Sequence, residues 1–355
     1  MTSKFNKKIF KKLIFIIPIG LLINVAIAFS REIDIFHALS DVSPLCFLLA
    51  LLLTIVPWYA NILRIIFWTR LFEKKMTFVE ALKTIAYSEF GAALSPTAVG
   101  GSPVKVAMLV RHGFTPGSAI TLATIGSLED FVFFMIALPA AFLLTTHHEF
   151  AFLNGITTRI GLVTKYAMII LPVLLLLVFF IYMILRHHNV GIAHGFPGKT
   201  IARLRNIIGE LTSAYGTIIQ KGKFTFLITT LLTGIQWICR YSIITAIVKG
   251  LGLNVDAVLF FLLQWLLFSI AMFIPTPGAT GGIEASFFFI YGAYVPEDAI
   301  GLITSGWRLF SFYIYLSIGL ILLLAAGIQS RRIDKLTRGS QTVTGDTKGL
   351  ELSRY

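Results

Sequence analysis

Charge is scarce in this chain. Only 13% of its 355 residues are Asp, Glu, Lys or Arg, and 56% are hydrophobic, where a soluble domain carries roughly 25% charged residues. The mean hydropathy is +0.84. A water-soluble fold could not hide that much apolar surface, so lipid must solvate much of it. Acid is scarcer than base: 17 Asp and Glu stand against 30 Lys and Arg, a net charge of +13. The bases flank apolar runs, which reads as membrane-edge charge and excludes a nucleic-acid partner. Cysteine is limited to Cys46 and Cys239, both inside apolar runs, so neither a disulfide framework nor a Cys-based metal site is expected. There is no G-x-x-x-x-G-K-[ST] loop for nucleotide hydrolysis. His147-His148-Glu149 fall on an expected external loop, where neighbouring His side chains are ordinarily solvated. No nucleophile and base are legible together. The expectation is a chain that is not an enzyme and needs no metal or cofactor.

What the chain has is long apolar runs. Lys4, Lys7, Lys8, Lys11 and Lys12 precede the run 13–29, which ends in Ala26-Ile27-Ala28. That pattern fits a cleaved signal peptide or an uncleaved first helix, and the length of the run favours the helix. Further runs at 44–69, 118–144, 162–185, 225–248 and 300–327 bring the full spans to about six. Two more segments, 78–94 and 257–274, each stop at a Pro/Gly cluster and resume as a short helix, which reads as a broken, re-entrant hairpin. The fold class is therefore all-α and polytopic. Arg64, Arg70, Lys74 and Lys75, the bases Lys199, Arg203, Arg205 and Lys221, and Arg331, Arg332, Lys335 and Arg338 agree with both termini on the cytoplasmic side of the cytoplasmic membrane. The base-poor loops 30–43 and 145–160 and the Pro296-Glu297-Asp298 turn then lie outside. Residues 1–330 form a single transmembrane domain and 331–355 a flexible cytoplasmic tail. In 199–219, Leu204, Ile207, Ile208, Leu211, Tyr215 and Ile218 recur at helical spacing, with Arg203, Arg205 and Glu210 elsewhere on the wheel. This is an amphipathic linker helix for the cytoplasmic membrane surface, serving packing and anchoring.

The chain also repeats itself. Pro96-Thr97-Ala98-Val99-Gly100-Gly101 and Pro277-Gly278-Ala279-Thr280-Gly281-Gly282 share P-x-A-x-G-G. Pro116, Ala119, Ile120, Leu122, Thr124 and Gly126 recur as Pro296, Ala299, Ile300, Leu302, Thr304 and Gly306, at an offset of about 180 residues. The two copies, about 44–145 and 225–327, enter the membrane from opposite sides by the charge argument and so form an inverted repeat. Pro and Gly leave backbone groups unpaired, and in hydrocarbon these must line a polar cavity or pair within the protein. A helix starting after Gly-Gly aims N–H groups at that cavity, a site for an anion such as phosphate. The plainer alternative is two kinked helices packed through glycine.

Several charges fall inside apolar segments: Glu89, Lys105, Glu129, Asp130, Glu284 and Arg308. Such charges face the protein interior or water. Arg308 is expected to pair with Asp130 or Glu129 across the repeats, either to fix register or to meet substrate. Lys105 and Arg111 are candidates for a lipid phosphate, and Arg111 is equally suited to snorkelling at the interface. The candidate substrate site thus comprises Pro96, Gly100, Gly101, Lys105, Arg111, Pro275, Pro277, Gly281, Gly282 and Glu284.

Ser95-Pro96-Thr97-Ala98-Val99-Gly100-Gly101-Ser102-Pro103-Val104-Lys105, Arg111-His112-Gly113 and Pro275-Thr276-Pro277-Gly278-Ala279-Thr280-Gly281-Gly282-Ile283-Glu284 resemble the lysylphosphatidylglycerol synthase transmembrane region, a flippase-like integral membrane family. The resemblance covers roughly residues 10–330. Many members have Glu and then Arg after the first Gly-Gly, where this chain has Ser102-Pro103 and Lys105. In the two-part synthases the membrane part is associated with moving aminoacylated lipid, which a separate soluble domain makes. About 28 residues follow the last apolar run here, too few for such a domain. The resemblance implies a stand-alone translocase for an anionic phospholipid or another phosphate-bearing, lipid-linked head group, without naming the lipid. An ion-coupled small-anion transporter and a scaffold for a lipid-modifying enzyme are the alternatives, and a homo-oligomer is left open.

Overall fold

The computed structural model describes residues 43–145 and 198–325, with side chains from residue 206 in the second stretch. The expected spans 13–29 and 162–185, the His147-His148-Glu149 loop and the tail lie outside these residues. Among the described residues every regular element is a helix. In chain order they are α1 (Pro44–Leu71), α2 (Phe78–Leu94), α3 (Gly101–Arg111), α4 (Pro116–Leu144), α5 (Gly198–Lys221), α6 (Lys223–Gly250), α7 (Ala257–Ala271), α8 (Gly282–Tyr291) and α9 (Ile300–Arg308). A π turn at Leu309–Tyr313 follows α9, and the helix runs on to Ala325. Among the described residues, four stretches are long and apolar enough to cross a membrane: α1, α4, α6 and Ile300–Ala325. The expected runs 44–69, 118–144, 225–248 and 300–327 match these four.

Local chemistry sets the helix starts. Pro44 and Pro116 supply the fixed φ of a first helical turn. Thr77 and Glu80 form a reciprocal capping box on α2. Asp256 accepts from the backbone N–H groups of Val258 and Leu259 at the start of α7.

α1 and α6 pack antiparallel: the N–H of Ser43 donates to Gly250 O at one end, and Leu71 lies against Gly222 at the other. They serve two separate cores. Ile62, Ile65, Ile66 and Trp68 of α1 join buried residues of α2 to α5. Ala50, at the other end of α1, joins α6 to α9, where Phe287 stacks on Tyr291 with centroids 4.4 Å apart and meets Trp307 at 5.2 Å. The opposite faces are apolar and exposed: Leu48, Leu52, Ile55 and Tyr59 on α1, and Phe224, Leu227, Leu231, Ile235 and Ile238 on α6. Stripes of that length in water would be aggregation sites, whereas in lipid they cost nothing.

α5 does more than rest on a surface. Its Glu210 carboxylate accepts from the N–H of Gly117 at 2.9 Å, capping α4 from outside, and Tyr215 Oη meets Thr124 Oγ1 at 2.6 Å. A Cβ at position 117 would sit 2.4 Å from Glu210 Cβ, so only glycine allows this approach. Glu210 is thus drawn into the packing by the positive end of α4 rather than left on a solvated face.

Candidate functional site

The two Pro/Gly turns meet. Pro96 and Pro277 form an antiparallel backbone bridge with each other. Each turn has the same build. Thr97 and Ala98 have φ of 55° and 57°, and Gly278 and Ala279 have 62° and 55°. The N–H of Val99 closes on Pro96 O, and that of Thr280 on Pro277 O. Two central residues at positive φ with this closure make a mirror-image β-turn in both places. Gly278 has no substitute here: a Cβ would lie 2.4 Å from Phe312 Cζ. Thr97, Ala98 and Ala279 hold a left-handed conformation that costs about 1–2 kcal/mol for each non-glycine residue, a strain that tends to collect at functional sites.

Between the turns lies a cavity of about 280 Å³. Thr97 and Ala98 form one side and Gly278, Ala279 and Ile283 the other, with Glu89, Arg240, Trp307 and Arg308 on its walls. Met272, also on the wall, is 69% exposed, and the adjoining Phe273 is 85% exposed. Arg240 is the residue that sequence reasoning missed. Its guanidinium lies over the rings of Tyr315 (5.4 Å), Trp237 and Phe268 (5.7 Å each). Its Nε is buried and has no hydrogen-bond partner, and the same holds for Trp307 Nε1.

Glu129, Glu284 and Arg308 are already matched, and not as expected. Arg308 does not reach Glu129 or Asp130. Its Nε donates to Glu284 at 2.7 Å, its Nη2 donates to Gly278 O at 3.1 Å, and its guanidinium covers Phe312. Arg308 and Glu284 stand 24 positions apart, and the reversal between α8 and α9 brings the acid onto the base within one half of the chain. Glu284 also accepts from the N–H of Gly281 at 2.7 Å. The N-terminus of α8, expected to be open to an anion, is filled by a carboxylate of the same helix.

Glu129 pairs instead with Arg64, which the charge pattern had placed in a loop and which is buried inside α1. Arg64 donates to Glu129 Oε2 from Nε (2.8 Å) and Nη2, to Gln236 at 2.6 Å, to Asn61 and to Gly126 O. Trp68 Nε1 donates to the second Glu129 oxygen at 2.6 Å. Asp130 accepts from Trp237 Nε1 at 3.0 Å. Among the described residues, one buried Arg–Glu pair therefore lies in 43–145 and one in 198–325.

The remaining expected site residues divide. Pro96, Pro277 and the adjacent Gly100, Gly101, Gly281 and Gly282 build the turns rather than line the cavity. Pro275 precedes the second turn and is exposed. Lys105 lies on a second, small cavity with Arg64, Trp68, Gly126 and Glu129. Arg111 is exposed at the last turn of α3 and lines neither cavity. Among the described residues, no group of three or more His, Cys, Asp or Glu is placed to hold a metal ion.

Comparison with known proteins agrees with this architecture. A UPF0104 membrane protein from Archaeoglobus fulgidus is 23% identical over 323 residues, which cover 85% of this chain and 94% of the relative. The family model described as the lysylphosphatidylglycerol synthase TM region matches residues 13–319. With that match and its long apolar helices, this multi-pass integral membrane protein belongs to the lysylphosphatidylglycerol synthase transmembrane-region family.

Proposed function

We propose that the chain moves a phosphate-bearing lipid between the leaflets of the cytoplasmic membrane, with the head group in the cavity between the two turns and the acyl chains in lipid. One observation carries this reading. Two buried N–H donors without acceptors, Arg240 Nε and Trp307 Nε1, belong to walls of the same cavity. A buried donor left unpaired costs about 1–3 kcal/mol, and the planar fork of arginine matches phosphate oxygens as it does a carboxylate. The cavity volume, about 280 Å³, suits a head group rather than acyl chains, since whole-ligand pockets run roughly 300–1,000 Å³. The exposed apolar side chains of Met272, Phe273 and Val99 beside it suit a mouth open to lipid, which favours a lipid over a small water-borne anion.

The matched turns and their antiparallel bridge at equivalent prolines support an inverted repeat, about 44–145 and 225–327 within one transmembrane domain. Two such halves rocking about a fixed midplane site would alternate access. The full count of about six spans with both termini cytoplasmic remains part of the same proposal. Its support is the exposed bases Arg70, Lys74 and Lys75 at the end of α1.

The test is leaflet exchange in proteoliposomes, with fluorescent phospholipids of differing head group and a membrane-impermeant quencher. Exchange faster than in protein-free vesicles, and graded by head group, is expected. Exchange at the protein-free rate for every lipid, with folded protein confirmed, would overturn the reading.

A further inference from the structure

Resting on that reading, we infer that Asp130 is a positioning residue for the head-group phosphate: through Trp237 it holds Arg240 open to the cavity and off Glu89. The contacts form an unbroken chain. Asp130 Oδ1 accepts from Trp237 Nε1 at 3.0 Å. The Arg240 guanidinium lies over the Trp237 ring, with Cζ 5.7 Å from its centroid. Trp237, Arg240 and Glu89 all line the cavity between the turns, and Asp130 does not. Any effect of Asp130 on a phosphate there is therefore exerted through Trp237.

The helix geometry accounts for this arrangement. Glu129 and Asp130 are neighbours on α4, and consecutive side chains on a helix point about 100° apart. Glu129 reaches α1, where it meets Arg64 and Trp68, while Asp130 turns to α6. Phe134, one turn further along α4, packs on the same indole with centroids 5.1 Å apart. α4 thus holds Trp237 at two points, by its N–H and by its ring. Trp237 and Arg240 are three residues apart on α6, the spacing that makes side chains neighbours on a helix surface. Arg64 Nη2 lies 3.5 Å from the same Asp130 oxygen and steadies the carboxylate from α1.

Arg240 needs such a restraint because an acid shares its cavity. Arg240 and Glu89 stand on walls of the same space, and among the described residues no hydrogen bond or ion pair joins them. Opposite charges attract strongly where water is scarce. An ion pair with Glu89 would take up the guanidinium edge that a phosphate requires. The rings of Trp237, Phe268 and Tyr315 hold the guanidinium instead, at 5.4–5.7 Å, a contact that leaves N–H groups for an acceptor. Without Asp130 the Trp237 N–H must turn to another acceptor. One of the three rings then moves, and Arg240 is released to Glu89.

The experiment measures leaflet exchange of a fluorescent phospholipid by the full chain in proteoliposomes, over a range of lipid content. Wild type is compared with Asp130→Leu, Asp130→Asn, Glu89→Gln and the double variant Asp130→Leu with Glu89→Gln, each matched for folded protein. Asp130→Leu should slow exchange about fivefold at low lipid content, by raising the half-saturating content rather than by lowering the maximal rate. Asp130→Asn keeps an oxygen for Trp237 and should stay within about twofold of wild type. In the Glu89→Gln background Asp130→Leu should cost little, since Arg240 has no acid to turn to. Should Asp130→Leu fail to fold, Trp237→Phe, which has no N–H for Asp130 to hold, should show the same slowing and the same relief by Glu89→Gln. A loss of equal size with and without Glu89 is what a merely structural role gives, and it would overturn the inference. Asp130→Asn as slow as Asp130→Leu, or Asp130→Leu as fast as wild type, would overturn it too and leave the lipid reading standing. Failure of folded wild type to exchange any lipid would instead overturn the lipid reading beneath it.

Discussion

Replacing Glu129 with Leu takes the acceptor from three donors at once: Arg64 Nε and Nη2, and Trp68 Nε1. Glu129 is 0% exposed and Arg64 6%, so water cannot make good the loss. Breaking a buried ion pair from one side costs about 3–5 kcal/mol, because the surviving charge stays buried. Arg64 would keep Gln236, Asn61 and Gly126 O, and Asp130 lies 3.5 Å from its Nη2. These set the cost near the lower end, about 3 kcal/mol, or on the order of 4 °C in melting temperature for a chain of 355 residues. Replacing both partners, Arg64→Met with Glu129→Leu, removes the buried charge as well. Such apolar replacements are often neutral, so the double variant should recover most of the loss. Thermal melting of purified protein in bicelles reads all four corners of the cycle. A Glu129→Leu variant that melts with wild type, or a double variant no better than the worse single one, would refute the pairing. Arg308→Met combined with Glu129→Leu should be additive, since Arg308 belongs to Glu284.

Arg308→Met alone should cost about 3–5 kcal/mol and be recovered by adding Glu284→Leu, read by the same melting cycle. Gly278→Ala drives a methyl into Phe312 at 2.4 Å and holds alanine at positive φ; a loss of about 2–4 kcal/mol is expected from overpacking and strain together, and Phe312→Ala should restore part of it. Thr97→Gly, at φ 55°, should raise stability by about 1 kcal/mol, because glycine enters the left-handed region freely. Glu210→Ala removes the external cap of α4 and should lower stability by about 0.5–1 kcal/mol, with faster hydrogen exchange in the first turn of α4 as its signature.

Much of the described fold was legible because hydropathy and proline act locally. The ends of α2 and α7 are set by residues within a few positions of them, and the P-x-A-x-G-G turns are recognisable from the repeated order of their residues. Charge pairing could not. Glu129 has basic Arg64 and Lys105 near it only because α1, α3 and α4 pack together, and Arg308 finds Glu284 only after α8 folds back. Counting Arg64 with the loop bases rested on its nearness to Arg70, but six residues is nearly two helical turns, enough to carry it into the protein. Arg240 went unremarked inside an apolar run. The signal was available: the positions three and four residues away on α6 are Gln236, Trp237, Ile243 and Ile244, so no acid on its own helix can neutralise it. Lys105 was singled out for its charge, yet its place beside Arg64 comes from tertiary packing. The helical wheel sets Glu210 apart from the apolar face of α5, and it contains no information about the end of α4.

The most direct measurement of the central claim compares leaflet-exchange rates for wild type, Arg240→Lys and Arg240→Met in proteoliposomes matched for folded protein. If Arg240 holds the head-group phosphate in the cavity between the turns, Arg240→Met should slow exchange by about tenfold or more, the worth of a charged hydrogen bond of roughly 1.5–3 kcal/mol. Arg240→Lys, which keeps the charge without the planar fork, should fall between the two. Exchange by Arg240→Met at the wild-type rate would contradict the account.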